Sequence, residues 1–339
     1  MILVTGIAGF IGFHLTKKLI AKGYDVVGID NINNYYDINL KNDRLKELGL
    51  NRKGENWIST ISNLKFYNID ISDRKSLNQI FSENKINAVC NLAAQAGVRY
   101  SIENPDAYVQ SNIIGFQNII ECCRNFGIKN FSYASSSSVY GGNENLPFSE
   151  NDIVDSPISL YAATKKSNEL VAYTYSHLYG ISTTGLRFFT VYGPWGRPDM
   201  ALFLFVRAIL DNKPINVFNN GEMLRDFTYI DDVVEGVIRV IDNPAKPPSK
   251  KSRLNPTKAP YKIYNIGNNN PVKLMDFITA IESSLNKKFE INFLPLQPGD
   301  VPKTYANVDL LVKELNYKPN TPIQKGIDNF VKWYLQYYK

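Results

Sequence analysis

The chain has 339 residues, 44% of them hydrophobic, which is enough to bury one large core or two closely packed ones. Its net charge of +6 comes from lysines dispersed along the chain, and no stripe of basic and aromatic residues indicates binding to nucleic acid. No apolar run approaches the roughly 18 residues that span a bilayer, so we expect no membrane partner. The sequence opens on an apolar strand, which predicts that no signal peptide precedes the fold.

Cysteine and histidine are scarce. The cysteines are Cys90, Cys122 and Cys123, and the histidines are His14 and His177. Their spacing fits neither a disulfide framework nor a metal site, so we expect no bound metal. Unpaired cysteines are typical of a reduced, cytoplasmic protein.

Short β-branched runs alternate with helical patterns through the first half of the chain. We expect strands at Ile2–Thr5, Asp25–Ile29, Lys65–Ile69, Ala88–Leu92, Asn130–Ser135 and Thr183–Phe188. We expect helices at Ile11–Lys22, Arg74–Glu83, Ala107–Phe126 and Tyr161–Tyr179. This alternation predicts an α/β fold with a doubly wound, Rossmann-type parallel sheet.

The regular alternation of strands and helices ends after Phe189, where clusters of turn residues separate shorter elements of mixed type. We therefore expect a Rossmann domain over 1–189 and a smaller mixed α/β substrate-binding lobe, mainly 190–339, above the carboxyl ends of the strands. A further strand near Tyr264–Gly267 is expected to rejoin the main sheet. The segment of about 229–266 would then belong to the Rossmann domain, and the two domains would interleave along the chain. A long insertion, Tyr35–Leu64, follows the second strand and contains the helix-like Leu40–Leu48.

Gly6, Gly9 and Gly12 occupy the first strand-to-helix turn. Glycines there permit positive φ angles and close approach of a pyrophosphate to the helix N-terminus, which predicts dinucleotide binding. Asp30 ends the second strand, where a carboxylate accepts hydrogen bonds from ribose hydroxyls and repels a 2′-phosphate. We therefore expect NAD rather than NADP, with an ordinary turn aspartate as the alternative interpretation.

Tyr161 and Lys165 lie one helical turn apart, downstream of the serine run Ser135–Ser138. A tyrosine has a reference pKa of about 10 and is a poor base at neutral pH. We expect Lys165 to lower the pKa of Tyr161 by favouring the phenolate, and Ser136 to bond a substrate oxygen. This arrangement predicts hydride chemistry at an alcohol carbon. Turn chemistry for the serines and a core position for Tyr161 are the competing interpretations.

Four longer segments are more specific: Asp30–Asp37, Ser135–Gly141, Arg187–Ala201 and Gln297–Tyr305. With them the chain resembles, over essentially its full length, the extended short-chain dehydrogenases/reductases and, among these, the UDP-glucuronate 4-epimerases. The resemblance implies an isomerase in which a tightly held NAD takes hydride from C4 of the sugar and returns it to the other face. It implies the catalytic residues Ser136, Tyr161 and Lys165.

The resemblance also implies contacts with both ligands. The NAD contacts are Gly6, Gly9, Phe10, Ile11, Gly12, Asp30, Asn31, Asp70, Ile71, Leu92, Ala93, Ala94, Asn112, Tyr161, Lys165 and Phe189. For the UDP-sugar, Arg225 and Arg197 are expected to serve the diphosphate and Asp300 the uridine ribose, with Ser136 and Tyr161 at the sugar. It further implies a homodimer formed through the helices at Ala107–Phe126 and Tyr161–Tyr179.

A uronic acid sets a further problem, because oxidation at C4 makes a β-keto acid that readily loses carbon dioxide. We expect the hydroxyls of Ser137, Ser138 and Thr190 to hold the carboxylate in a geometry that disfavours this loss. A 4,6-dehydratase would carry an Asp–Glu pair at Ser137 and Ser138, and a decarboxylase of the family would carry Glu at Ser138. The open alternatives are a 4-epimerase of UDP-glucose or UDP-N-acetylglucosamine, a UDP-glucuronate decarboxylase, and an NAD-sensing binding protein.

Overall fold

A parallel sheet of seven strands forms the centre of the chain, and the computed structural model describes all of residues 1–339. The strands in chain order are β1 Ile2–Thr5, β2 Val26–Asp30, β3 Leu50–Lys53, β4 Asn56–Ser59, β5 Leu64–Asn68, β6 Ala88–Asn91, β7 Asn130–Ser136, β8 Ser182–Phe188, β9 Thr190–Tyr192, β10 Ile215–Phe218, β11 Leu224–Arg225, β12 Phe227–Tyr229, β13 Tyr261–Ile266, β14 Val272–Lys273 and β15 Ile291–Leu294.

Helices connect and cover these strands. They are α1 Phe10–Ala21, α2 Ile38–Glu47, α3 Arg74–Glu83, α4 Tyr100–Glu103, α5 Pro105–Tyr108, α6 Phe116–Asn125, α7 Leu160–Tyr179, α8 Ala201–Leu210, α9 Ile230–Asp242, α10 Leu274–Leu285, α11 Asp309–Leu315 and α12 Ile323–Tyr338. None of them combines the length and apolar character needed to cross a bilayer.

The central sheet has the order β13-β8-β7-β6-β1-β2-β5, and every neighbouring pair is parallel. The chain winds outward from β1 in both directions, so the topological switch point lies between β1 and β6. Both faces are covered, because Ile2 and Val4 enter one hydrophobic core while Leu3 enters the other. The expected doubly wound α/β fold is confirmed.

One expected helix is divided. The segment Ala107–Phe126 contains the end of α5, a π-helical turn at Val109–Gly115 and α6. The remaining expected helices and strands of the sheet match within two residues at each end, except the strand near Tyr264–Gly267, which begins three residues earlier, at Tyr261. The insertion after β2 contains α2, as expected, and also the hairpin β3–β4, which the sequence did not suggest.

The second half of the chain builds short paired strands above the carboxyl edge of the sheet. The pairs are β9 with β12, β10 with β15 and β11 with β14. The chain returns to the main sheet at β13, which pairs with β8 along its whole length. The short paired strands therefore lie at the carboxyl edge of the sheet, which is where open α/β sheets bind ligands.

Candidate active site

A single cavity of about 1290 Å³ opens along the carboxyl edge of the sheet and continues under the second half of the chain. It exceeds the roughly 300–1,000 Å³ of ordinary ligand pockets, so it has room for two ligands side by side. All but one of the site residues expected from the sequence line it. Those on the cofactor side are Gly6, Gly9, Phe10, Ile11, Gly12, Asp30, Asn31, Asp70, Ile71, Leu92, Ala93, Ala94 and Phe189; the others are Ser136, Ser137, Ser138, Tyr161, Lys165, Thr190, Arg197, Arg225 and Asp300.

Asn112 is the exception, because it lies behind the cavity wall. Its side chain is buried and bonds the backbone N–H and carbonyl of Gln95 and the hydroxyl of Thr164. It belongs to the π-helical turn, a distortion often found at functional sites. Asn112 therefore supports the backbone at Gln95 and does not itself line the cavity.

The glycine-rich turn has room only for glycine. Gly6 has φ +75°, and a Cβ at Gly12 would lie 2.1 Å from the carbonyl oxygen of Gly6. The turn therefore brings bare backbone to the start of α1, whose first N–H groups face the cavity as an anion site.

Asp30 lies beside this turn and is 8% exposed. Its two carboxylate oxygens accept hydrogen bonds from the N–H groups of Ala8, at 3.0 Å, and Ile32, at 2.8 Å. Burial raises the pKa of Asp30, and the nearby Lys41 charge and the two N–H groups oppose that shift. Each oxygen keeps a free lone pair, so the carboxylate can still accept hydroxyl donors.

The helix α7 carries the expected catalytic pair. Ser159 caps it, accepting a hydrogen bond from the N–H of Ala162 at 3.1 Å, so Tyr161 falls in the first turn. Lys165 follows one turn later on the same face. Its ammonium is buried and donates to the carbonyl of Ala134 on β7 at 2.9 Å. The helix and the end of β7 thus hold the phenol, the ammonium and Ser136 around one point of the cavity.

The pKa relation expected between these two residues is wrong for this geometry. Burial raises the pKa of Tyr161, and the opposing groups are the Ser136 hydroxyl, through a hydrogen bond, and the Arg197 charge. Burial lowers the pKa of Lys165 to about 8. Because the ammonium is turned toward Ala134, its charge does not set the pKa of the phenol here.

The hydroxyl groups after β7 are arranged as a short turn. Ser136 Oγ accepts a hydrogen bond from the N–H of Ser138 and lies 3.1 Å from its hydroxyl oxygen. Thr190, at the start of β9, approaches the cavity from the neighbouring chain segment. Hydroxyl groups from the end of β7 and from β9 therefore line the same cavity as Tyr161.

Arg197 lines the cavity and is also ion-paired. Its guanidinium makes two hydrogen bonds to Asp199. The phenol of Tyr35, from the insertion, donates to the same carboxylate at 3.1 Å. Burial opposes the charge of Arg197, but Asp199 raises its pKa overall, so the guanidinium remains charged.

The far end of the cavity carries two more cations. Arg225 donates to the carbonyls of Leu224 and Pro302, and Asp300 pairs with Arg99 at 2.8 Å. Burial lowers the pKa of Arg225, while Asp300 opposes that shift. Arg99 and Arg225 thus flank one carboxylate at a site suited to a diphosphate.

Sequence reasoning missed Lys41, Arg99 and the pair Tyr35–Asp199. Lys41 is buried and donates to the carbonyl and side chain of Asn33, close to Asp30. The sequence could have indicated Lys41, because Lys41 and Arg44 lie three residues apart in α2 and therefore share one face of that helix. Arg99 carries no comparable signal, since its partner lies 201 residues away.

Comparison with known proteins gives a family. The NAD dependent epimerase/dehydratase family model matches residues 2–267. A curated relative is Protein CapI of Staphylococcus aureus, 57% identical over 342 residues, covering 100% of this chain and 99% of the relative. Another is a probable UDP-glucuronate 4-epimerase of Rhizobium meliloti, 45% identical, covering 99% of this chain and 97% of that protein.

A solved structure is similar over the whole chain. It is the UDP-glucuronic acid 4-epimerase from Bacillus cereus in complex with UDP-glucuronic acid and NAD. The TM-score is 0.86 at 32% sequence identity, with 99% of each chain covered. The likeness therefore extends to both sides of the cavity.

Proposed function

Because the chain belongs to the NAD dependent epimerase/dehydratase family, we propose that it is a UDP-glucuronate 4-epimerase, which interconverts UDP-glucuronate and UDP-galacturonate through a 4-keto intermediate. The observation that carries this proposal is the shared cavity. The glycine-rich turn, Asp30, Ser136, Tyr161 and Arg225 all line it, and the charge of Arg197 acts on Tyr161. One open cavity thus joins a dinucleotide site, a proton-transfer group and cations for an anionic sugar.

The cofactor end fits NAD. The tight turn of Gly6, Gly9 and Gly12 gives a pyrophosphate access to the first N–H groups of α1, and a side chain at Gly12 would collide with the Gly6 carbonyl. Asp30 and Asn31 would hold the adenosine ribose, and Asp70 accepts a hydrogen bond from Asn31 at 2.7 Å. Bound there, NAD would supply a hydride acceptor for C4 of the sugar and, in its reduced form, the hydride that returns.

Tyr161 is the proton-transfer residue of this proposal. Its phenol oxygen takes the proton of the C4 hydroxyl as the hydride leaves, and gives a proton back in the second half of the cycle. Ser136 hydrogen-bonds the same sugar oxygen. Lys165, whose pKa lies near 8, remains largely charged at neutral pH and can turn toward the phenol or the ribose of the cofactor.

The sugar carboxylate is restrained by hydroxyl groups. Return of hydride to the other face requires the 4-keto sugar to turn over inside the cavity. During that motion the bond from C5 to the carboxylate must stay out of line with the carbonyl π system, or carbon dioxide leaves. Ser137, Ser138 and Thr190 supply neutral donors for this restraint. Arg197, whose charge acts on Tyr161, is assigned to the carboxylate here and no longer to the diphosphate, as the sequence had suggested.

The diphosphate binds between Arg225 and Arg99, with Asp300 freed to accept the uridine ribose hydroxyls. Binding then exchanges the ion pair between Arg99 and Asp300 for one with phosphate. The loops above the sheet, mainly within 190–339, act in this proposal as the nucleotide-sugar-binding lobe.

We place the working form as a homodimer in the cytoplasm. Exposed apolar side chains cluster on the helices from α4 to α7: Ile102, Val109, Ile114, Leu170 and Leu178. Such a surface favours burial against a second copy. The three cysteines are free and buried, which suits a reducing compartment.

The test is to incubate the purified protein with UDP-glucuronate or UDP-glucose, without added NAD, and to identify products by NMR. We expect UDP-galacturonate from the first and little product from the second. Faster conversion of UDP-glucose would assign a neutral sugar. A UDP-pentose as main product would assign a decarboxylase, and no turnover with NAD bound would leave a binding protein.

A further inference from the structure

Arg44 is a buried cation in the insertion helix α2, with 0% of its surface exposed. Its guanidinium donates to the carbonyls of Ala8 at 2.8 Å, Trp195 at 2.6 Å and Gly196 at 3.3 Å, and to the phenol oxygen of Tyr36 at 2.7 Å. All four acceptors are neutral, and Nε has no partner at all. A buried charge of this kind opposes folding, and such costs are found where function requires them.

Two of these acceptors belong to the loop of residues 193–199, which carries Arg197. Within this loop Trp195 has φ +60°, a backbone conformation that is rare for a bulky side chain. Its indole packs against Phe13, Trp333 and Tyr337, with ring centroids 5.0–5.5 Å apart. The ring contacts fix one side of Trp195, and Arg44 fixes its carbonyl on the other.

The remaining carbonyl belongs to the glycine-rich turn. The backbone of Ala8 is held on both sides of its Cα, because its N–H donates to Asp30 and its carbonyl accepts from Arg44. The same guanidinium therefore touches the backbone that receives the cofactor and the loop that presents Arg197.

We propose that Arg44 is a positioning residue that fixes the 193–199 loop, and through it Arg197, against the glycine-rich turn. The role given to Arg197 rests on the proposed function; the support of the loop does not. This gives the insertion after β2 a role in holding the loop. Tyr36 accepts a hydrogen bond from Arg44, and the adjacent Tyr35 donates to Asp199, the partner of Arg197.

The test compares Arg44→Lys with Arg239→Lys. A lysine keeps the charge but cannot reach carbonyls on both sides at once. Arg239 is a matched control, since it also donates to two carbonyls, those of Leu315 and Asn316, and it does not line the cavity. Hydrogen exchange followed by mass spectrometry on 193–199 is the first measurement, because it needs no substrate.

We expect Arg44→Lys to speed exchange in 193–199 by about tenfold, the weight of a hydrogen bond to a charged group, while Arg239→Lys leaves this loop unchanged. The variant should also raise KM for UDP-glucuronate by about tenfold with a smaller change in kcat, and increase the UDP-pentose fraction. Equal exchange and equal product ratios in the two variants would overturn the proposal.

Tyr36→Phe decides the matter if Arg44→Lys does not fold. It removes one acceptor and leaves the charge and three bonds, so we expect exchange in 193–199 to rise by about threefold, as for a single neutral hydrogen bond. An unchanged loop in this variant would then contradict the proposal. If the wild-type protein acts on another sugar, hydrogen exchange in 193–199 still tests the role of Arg44. The proposed substrate and the proposed role of Arg44 can therefore be rejected independently.

Discussion

At the cofactor end of the cavity, the lining residues follow β1, β2, β5 and β6, whereas at the sugar end they come from separate loops far apart in the chain. The polar groups at the first end are satisfied mainly by neighbouring backbone, as Asp30 is by Ala8 and Ile32. At the second end, Arg197 and Arg99 are each paired with a carboxylate of the chain itself.

The difference implies different behaviour on binding. The cofactor end is held by regular structure and is ready to receive its ligand. The sugar end must exchange internal ion pairs for contacts with an anionic substrate, so its specificity depends on groups that move. The predictions below separate the two ends, and the first two address the chemistry between them.

Tyr161→Phe should show the largest effect. Loss of the phenol removes the proton-transfer group, so we expect turnover to fall by at least ~10²-fold while NAD remains bound. The measurement is single-turnover kinetics together with the cofactor content of the purified protein. Tyr179→Phe, at the outer end of the same helix, is the control. Near-normal turnover of Tyr161→Phe would remove Tyr161 from the mechanism.

Lys165→Met should reduce turnover comparably and change its pH dependence. In the proposed mechanism the ammonium leaves the Ala134 carbonyl and turns toward the phenol when the ligands bind. With a pKa of about 8 it loses its charge as the pH rises through that value, so its support of the phenolate then weakens. Without the ammonium this decline is absent and the optimum moves to higher pH. The pH profile of kcat/KM is the measurement. An unchanged profile would mean that Lys165 does not act on Tyr161.

Asp30 tests the cofactor end alone. We expect NAD to bind at least about tenfold more tightly than NADP, because a 2′-phosphate would face a buried carboxylate. Asp30→Ser should narrow this difference without altering the product ratio. Calorimetric titration of cofactor-free protein measures both affinities. Equal wild-type affinities would show that the carboxylate does not meet the ribose.

Thr190→Val and the double variant Ser137→Ala/Ser138→Ala test the sugar end alone. With fewer donors the 4-keto sugar turns more freely, so we expect the ratio of UDP-pentose to epimer to rise by about threefold, as for one lost hydrogen bond. Thr190→Ser keeps the hydroxyl and is the control. NMR gives the ratio, and released carbon dioxide checks it. A higher KM at constant ratio would place the restraint elsewhere.

His14 is expected to affect the stability of the fold and not the chemistry. Its Nε2–H donates to the Pro194 carbonyl, and burial lowers its pKa to about 3. The folded state therefore binds fewer protons than the unfolded state, whose histidine titrates near 6.5, and stability falls as the pH drops from about 6.5 toward 3. At pH 5 the loss is about 2 kcal/mol.

His14→Gln should remove this part of the acid sensitivity. Urea unfolding at pH 5 and pH 7 measures it, with His177→Gln as a control at an exposed position. An equal drop in both variants would show that His14 is not the responsible group.

The two ends also differ in how far sequence predicts them. The cofactor end was predictable because its residues follow strands in short, contiguous motifs, and strand ends of a parallel sheet meet at one edge. The glycine spacing and Asp30 therefore led directly to their positions. Lys41 could also have been predicted, from its spacing to Arg44 in α2.

The sugar end depends on pairings that local sequence does not encode. Asp300 meets Arg99 across 201 residues, and Tyr35 meets Asp199 across 164. The division of the helix at Val109–Gly115 and the orientation of Lys165 toward Ala134 likewise depend on packing. For that reason the residue types at the site were predictable, but their charge partners and pKa directions were not.

The most direct test of hydride return uses UDP-glucuronate labelled with deuterium at C4. If one bound NAD takes and returns the same hydride, the UDP-galacturonate formed in water without added cofactor should keep the deuterium at C4, as NMR and mass spectrometry would show. Product that has exchanged its C4 label for solvent hydrogen would contradict the account, because C4 would then have been inverted through a proton rather than a hydride.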